Sequence, residues 1–159
     1  MAFELNDQQI AGLLAERKVL PADFRLRLQM KAKRGHREQD LDVVGDGGNR
    51  FRLILRQSLF DPVSFSVILG LCIPKTNVIF RLRRYNGKSH PHTNPLERQN
   101  FYAFHIHTAT ERYQKVGFDE EVYAEPTDRF SDFHGAIQCM LDDCGFDASA
   151  DPQTALEGV

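Results

Sequence analysis

Alternation of apolar and polar residues is the feature of this chain that most restricts its fold. It recurs six times between residues 24 and 110, mostly with short turns between the stretches, such as GDGGN at 45–49. Side chains two positions apart in a strand share a face, so this period predicts half-buried strands rather than helices. The predicted strands are residues 24–31, 38–44, 50–58, 63–72, 78–85 and 101–110.

Helices are predicted at both ends of this strand-rich region. Asn6 and Gln9 have the spacing of a capping box, and the helix they begin should end before Pro21. A second helix is expected over 131–144, where apolar residues recur at helical spacing and Gly145 can end it. The resulting fold is α+β: an N-terminal helix, a six-stranded, mostly antiparallel meander that is curved or partly barrel-like, and a C-terminal helix packing on the sheet. Residues 1–148 should form a single domain, and 149–159 an acidic, frayed tail.

Charge is distributed unevenly along the chain although the net charge is only −2. Residues 77–117 contain 7 basic and 2 acidic side chains, whereas residues 118–159 contain 1 basic and 11 acidic ones. A basic surface attracts phosphate groups, and an acidic segment can compete for that surface. We expect the acidic segment to fold back onto the basic face.

One face of the predicted sheet concentrates basic and imidazole side chains. In a meander, alternate residues of every strand fall on one surface. The strands at 78–85 and 101–110 place five candidate catalytic residues on this outward face: Arg81, Arg83, Tyr85, His105 and His107. The pattern predicts a surface that faces phosphate or nucleic acid, and a solvated polar face is the alternative.

His105 and His107 suggest a specific reaction. Two imidazoles two residues apart on a strand point the same way and could act as acid and base around a phosphodiester bond. Arginines would stabilise the charge on the phosphorus oxygens. If the nucleophile is a ribose 2′-hydroxyl, the substrate is RNA, and neither a metal nor another cofactor is needed. Ordinary, partly exposed histidines are the competing interpretation.

The long connection between the last two predicted strands supplies candidate substrate-binding residues. Most loops in compact domains have about 4–6 residues, so the 86–100 loop is either functional or a disordered excursion. Residues in and after this loop that could contact the substrate are Lys88, His90, His92, Arg98, Arg112 and Tyr113.

A metal site is a second chemical hypothesis for the same residues. His105, His107 and Glu111, with His90 and His92, could supply ligands. The HxH-x3-E-x5-G spacing resembles the first half of the cupin metal motif over about a dozen residues. The glycine that precedes HxH in cupins and the second cupin motif are absent, so the favoured hypothesis keeps the site free of metal.

Three functional classes therefore stay open. The first is a small cytoplasmic, RNA-directed nucleic-acid-binding protein, in its most specific form a metal-independent endoribonuclease. Its layout is broadly similar to small bacterial ribonuclease toxins and other RNA-binding domains. The second is a non-enzymatic domain that binds a protein partner, and the third is a histidine-ligated metal enzyme. The three cysteines, the acidic N-terminus and the absence of a long apolar run predict a cytoplasmic protein with reduced thiols and no membrane span.

Overall fold

The computed structural model describes residues 3–150 of the 159-residue chain. It confirms an α+β fold with four helices among the described residues. The helices are α1 (Asp7–Ala15), α2 (Phe24–Arg27), α3 (Glu111–Lys115) and α4 (Phe133–Asp143). The strands are β1 (Lys18–Val19), β2 (Lys31–Ala32), β3 (His36–Val44), β4 (Arg50–Ser58), β5 (Phe65–Cys72), β6 (Ile79–Asn86), β7 (His92–Asn94), β8 (Gln99–Phe101), β9 (His105–Thr108), β10 (Ala124–Pro126) and β11 (Phe146–Asp147).

The main sheet contains seven strands in the order β10-β9-β6-β5-β4-β3-β2, and every neighbouring pair is antiparallel. The sheet is open and does not close into a barrel. Its inner face carries the alternating apolar residues of β3, β4 and β5, all of them buried. The buried inner-face residues of these strands are Leu41, Val43, Phe51, Leu53, Leu55, Phe65, Val67, Leu69 and Leu71.

Helices α1 and α4 cover the inner face of the sheet, which confirms the packing predicted for the C-terminal helix. The Asn6–Gln9 capping box is present and begins α1, whose Ile10 and Leu14 are buried in the core. Helix α4 packs against β5 and β6 and is capped by Asp132. Gly145 follows α4 with a φ of 74°, the left-handed conformation expected of a residue that ends a helix. Ser149 and Ala150 are the last described residues, so the frayed tail predicted for 149–159 lies almost wholly outside the described residues.

The strand predicted over residues 24–31 is wrong. Those residues form α2 and only the start of the short strand β2. Phe24 is buried, but Leu26 is 68% exposed, so the apolar side chains do not share one face. An ion pair between Asp23 and Arg27, one helical turn apart, fits the helix and not the strand.

The structure also differs from the prediction at the 101–110 strand, which is shorter than expected, and at the loop before it, which contains two strands. Only His105–Thr108 joins the main sheet, where β9 pairs with β6 and β10. The 86–100 connection is ordered, and β7 and β8 form a separate hairpin within it. This hairpin places His92 beside β9.

A β-bulge in β6 changes which face its residues occupy. Arg81 pairs with Gly70, whereas Arg83 pairs with the next residue back, Leu69, so that Leu82 is the extra residue. A Cβ atom on Gly70 would lie 2.2 Å from the Ile79 side chain, and only glycine fits this close approach. Beyond the bulge the alternation is inverted, and positions expected to point outward point inward.

Candidate metal centre

Three histidines converge at the outer face of the sheet. One ring nitrogen from each of His92, His105 and His107 lies within 4.8 Å of those of the other two. The rings are in mutual contact, with centroid distances of 5.3 Å for His92–His105 and 4.9 Å for both His92–His107 and His105–His107. The hairpin brings in the first histidine, and the period of β9 keeps the other two on the same side.

Backbone carbonyl groups orient the two histidines of β9. Nδ1 of His105 lies 2.8 Å from the Ala103 carbonyl oxygen, and Nδ1 of His107 lies 2.7 Å from that of Glu121. A carbonyl oxygen only accepts hydrogen bonds, so both Nδ1 atoms must carry the proton. Each Nε2 atom therefore has a lone pair, which Asn86 approaches in His107 only weakly, at 3.5 Å.

Asn94 orients His92 in the same way. His92 Nε2 lies 2.8 Å from Asn94 Oδ1. The Asn94 amide cannot be turned around, because its Oδ1 accepts from the Ala124 N–H at 2.9 Å and its Nδ2 donates to the Ala124 carbonyl at 2.7 Å. Nε2 of His92 is consequently the protonated nitrogen, and Nδ1 has the lone pair.

Burial favours the neutral form of both strand histidines. His105 is 2% exposed and His107 is 8% exposed. Burial, and then the nearby His105, His92 and Arg84, lowers the pKa of His107 to about 3. Burial also lowers the pKa of His105, and His92, His90 and Arg84 add to the effect.

The cluster therefore has the donor set of a transition-metal site. Each of the three imidazoles donates one N–H to a fixed oxygen, as metal-binding histidines usually do, and burial favours the neutral form of His105 and His107. A tetrahedral ion with metal–nitrogen distances of about 2.05 Å separates its ligand nitrogens by about 3.3 Å. Modest side-chain movement would close the cluster to that spacing.

The histidines lie in a cleft of about 480 Å³. Its lining includes His36, His90, Arg34, Arg56 and Arg84, together with serine and asparagine side chains. Five of the six histidines of the chain thus face the cleft, and among the described residues its lining contains no carboxylate. Its electrostatic character is that of an anion-binding site.

Part of the acidic segment does fold back onto the basic face. Glu121 Oε1 lies 2.9 Å from Arg81 Nη1 and 3.0 Å from Arg84 Nη2, and Glu120 also pairs with Arg81. Arg81 and Arg84 on β6 therefore have acidic partners, which reduce the positive charge of this face. Burial raises the pKa of Glu121, and its Oε2 has no hydrogen-bond partner within residues 3–150.

Two predicted catalytic residues lie on the other face of the sheet. Because of the bulge, Arg83 and Tyr85 point toward α4, opposite to His105 and His107. Tyr85 is fully buried, packs against Phe130 and donates a hydrogen bond of 2.7 Å to Asp143 Oδ2. Their predicted grouping with the histidines is wrong, and Arg84 takes the position beside His107.

Several predicted substrate-binding residues support the hairpin. Tyr113 is buried, donates to Glu97 Oε2 at 2.6 Å and accepts from the Leu96 N–H at 3.2 Å. Arg112 forms an ion pair with Glu97. Arg98 lies in the hairpin turn with a φ of 54°, and Lys88 covers the exposed Tyr102 ring. Of the predicted substrate-binding residues, only His90 and His92 line the cleft.

Sequence reasoning missed Asn94, Glu121 and the role of Arg56. Their positions at the candidate site depend on contacts with strands that are distant in the sequence. The polar composition of the loop gave no indication that Asn94 is buried. The only available signal was the HxHxN spacing of 90–94, which places Asn94 two residues after His92.

No protein-family model matches the chain, and no curated protein or solved structure matches it either. The site must therefore be interpreted from its own geometry. Within residues 3–150, none of the helices combines the length and apolar character needed to cross a membrane.

Proposed function

We propose that the cleft is a mononuclear metal centre, with His92 Nδ1, His105 Nε2 and His107 Nε2 as the ligands of a divalent transition ion. The observation that carries this proposal is the orientation of all three imidazoles by fixed oxygen acceptors. Imidazole nitrogen suits Zn²⁺, Fe²⁺, Ni²⁺ and Cu²⁺.

Three protein ligands leave coordination positions open, which is the pattern of catalytic rather than structural metal sites. A metal held in this way acts as a Lewis acid and lowers the pKa of bound water. The function best supported is therefore metal-dependent hydrolysis of a substrate that binds in the basic cleft.

Metal titration of the full-length protein tests the site. We expect one equivalent of Zn²⁺ to bind, and Co²⁺ to give the visible absorption of a nitrogen-ligated ion. His105→Ala and His107→Ala should each weaken binding at least 100-fold, because each removes one of three protein ligands. His134→Ala is the matched control, since His134 lies on α4 outside the cleft.

Folding of each variant is checked by circular dichroism. His92→Ala provides a further test on a less buried ligand in the separate hairpin. Unchanged Zn²⁺ affinity in folded His92→Ala and His105→Ala would exclude the proposed centre.

Metal-independent cleavage of RNA is the second candidate function. The observation in its favour is the cleft itself, where imidazole and guanidinium groups meet without a lining carboxylate among the described residues. That mechanism needs one imidazole that is protonated near neutral pH. The low pKa of His107 means that this histidine cannot be the proton donor.

RNA cleavage measured with EDTA and with Zn²⁺ separates the two mechanisms. The metal centre predicts activity only with the ion, and loss of activity in the His105→Ala, His107→Ala double variant. Cleavage that persists in EDTA would support the metal-independent endoribonuclease instead.

The remaining hypotheses stay predictions. Cys72, Cys139 and Cys144 are free, which favours a reducing, cytoplasmic location. A protein partner is tested by salt dependence, since binding to nucleic acid should weaken steeply with salt and a hydrophobic protein interface should not.

A further inference from the structure

The cleft beside the histidines is also lined by arginine side chains whose charges are only partly paired with carboxylates. We infer that the centre acts on a phosphate ester, whose phosphoryl oxygens bridge the metal and the guanidinium groups of Arg56 and Arg84. This inference rests on the proposed metal centre and adds the class of substrate.

Sheet register places the arginines next to the ligands. On the outer face, Arg84 lies directly opposite His107 on the neighbouring strand. Arg56, Ser66, Asn86 and His105 form a continuous row across four strands. Neighbouring strands are about 4.8 Å apart, so the long Arg56 side chain extends over the cleft from its far side.

The arginines carry more positive charge than the local carboxylates neutralise. Within residues 3–150, neither Arg56 nor Arg34 has an ion pair: Glu38 lies opposite Arg56 on β3, but its carboxylate is 3.3 Å from His36 Nε2 instead. Arg84 shares the single carboxylate of Glu121 with Arg81, and its Nε has no partner among the described residues. The charges of Arg81 and Arg56 lie near Arg84 and repel its guanidinium group, and Glu121 offsets only part of this repulsion. An anion between Arg56 and Arg84 would remove this repulsion.

The number of acceptor oxygens favours phosphate over carboxylate. A phosphate monoester has three terminal oxygens, enough for the metal and both guanidinium groups at once, whereas a carboxylate has two. A further donor is available from Ser58, which lines the cleft. Its Oγ accepts the backbone N–H groups of Phe60 and Asp61, so its own proton is free to donate.

Anion binding to Co²⁺-loaded protein tests the inference, because the visible spectrum reports ligands that enter the metal sphere. Inorganic phosphate is the probe, and acetate is the comparison. We expect phosphate to bind at least tenfold more tightly than acetate. Arg56→Ala and Arg84→Lys should each weaken phosphate binding about tenfold or more while Co²⁺ affinity stays within about twofold.

Arg50→Ala is the matched control, since Arg50 is an exposed arginine on the same face of β4 but outside the cleft lining. Linkage gives a second measurement, because phosphate must raise Co²⁺ affinity by the factor by which Co²⁺ raises phosphate affinity.

The outcomes separate the two proposals. If Co²⁺ binds but phosphate does not, or if Arg56→Ala and Arg84→Lys bind it as wild type does, the substrate class is wrong and the metal centre stands. If phosphate binds equally to metal-free protein, the bridging arrangement is wrong. If Co²⁺ itself does not bind through the histidines, the metal centre is wrong and the inference built on it is overturned.

Discussion

Two buried polar clusters in this protein differ in how completely their hydrogen bonds are made. Lys18 is fully buried, and its ammonium group donates to the carbonyl oxygens of Leu13, Leu14, Glu16 and Cys144 at 2.7–3.2 Å. In the histidine cluster, each imidazole uses one nitrogen in a short hydrogen bond, and all three side chains line the cleft.

The comparison shows how a structural cluster differs from a candidate binding site. The Lys18 protons are all used, and they join the C-terminal ends of α1 and α4, where carbonyl groups lack helical partners. The two ends are so close that a Cβ atom on Gly145 would lie 2.5 Å from the Glu16 carbonyl oxygen. The histidines are equally well positioned, but among the described residues their second ring nitrogens have only the weak contact of Asn86 with His107 Nε2, at 3.5 Å.

Replacing Lys18 tests the cluster in which all hydrogen bonds are made, and it should have the largest effect on stability. Burial lowers the pKa of Lys18 only to about 8, so the side chain is mostly protonated and donating at neutral pH. Lys18→Met leaves four carbonyl groups without their donor, and we expect a loss of about 3–4 kcal/mol in the free energy of unfolding. Urea denaturation measures this loss. A loss below about 1 kcal/mol would show that the carbonyl groups find other donors.

Removing the Asn94 side chain tests the cluster of His92, His105 and His107. Asn94→Ala frees the His92 ring, and we expect Zn²⁺ affinity to fall 10–100-fold, as is typical when a residue that orients a ligand is lost. Asn100→Ala on the same hairpin is the control, since Asn100 is exposed and donates to Thr93. Equal affinities of the two variants would contradict a positioning role for Asn94.

Replacing Tyr85 tests whether the inner face of the sheet contributes to stability and not to binding. Burial raises its pKa well above the usual value, so the hydroxyl stays protonated and donates to Asp143. Tyr85→Phe should cost about 1.5–2 kcal/mol of stability, the value of a hydrogen bond to a charged group. Zn²⁺ and phosphate affinity should not change. A large decrease in Zn²⁺ or phosphate affinity would show that Tyr85 does belong to the site.

Asp143 should give the smallest effect, visible as a dependence of stability on pH. The Arg129 guanidinium, and then the Tyr85 hydroxyl, hold the pKa of Asp143 below its usual value despite partial burial. Its contribution is therefore present above about pH 4 and is lost as the pH falls through the lower, folded-state pKa. Asp143→Asn should be about 1 kcal/mol less stable than wild type at pH 7.

The difference between wild type and Asp143→Asn should shrink below pH 4, measured by thermal unfolding at several pH values. A difference that stays constant down to pH 2.5 would contradict this assignment.

Local periodicity predicted most of the sheet because inner and outer residues of β3, β4 and β5 differ strongly in polarity. It failed at residues 24–31, where the alternation came from arginines whose long side chains suit a helix as well as a strand. It also failed in β6, because a bulge adds one residue without changing the composition. The Arg83–Arg84 pair offers a charged residue to either face, so the pattern could not show which arginine reaches His107.

The site was only half predictable for the same reason. His105 and His107 share a face by strand geometry, which the sequence contains. His92 joins them through a hairpin held by contacts to Ala124 and Tyr113, residues far along the chain. Such long-range contacts leave no periodic signal.

The separate hairpin has a consequence for the rate of metal exchange. His92 belongs to β7, which pairs only with β8 among the described strands, whereas His105 and His107 belong to the main sheet. His92 can therefore move away from β9 when the contacts of the hairpin with Ala124 and Tyr113 open, without breaking a strand ladder of the main sheet. A bound ion would be released at the rate of hairpin opening, so backbone amides of the hairpin and the ion should exchange with the solvent on the same timescale.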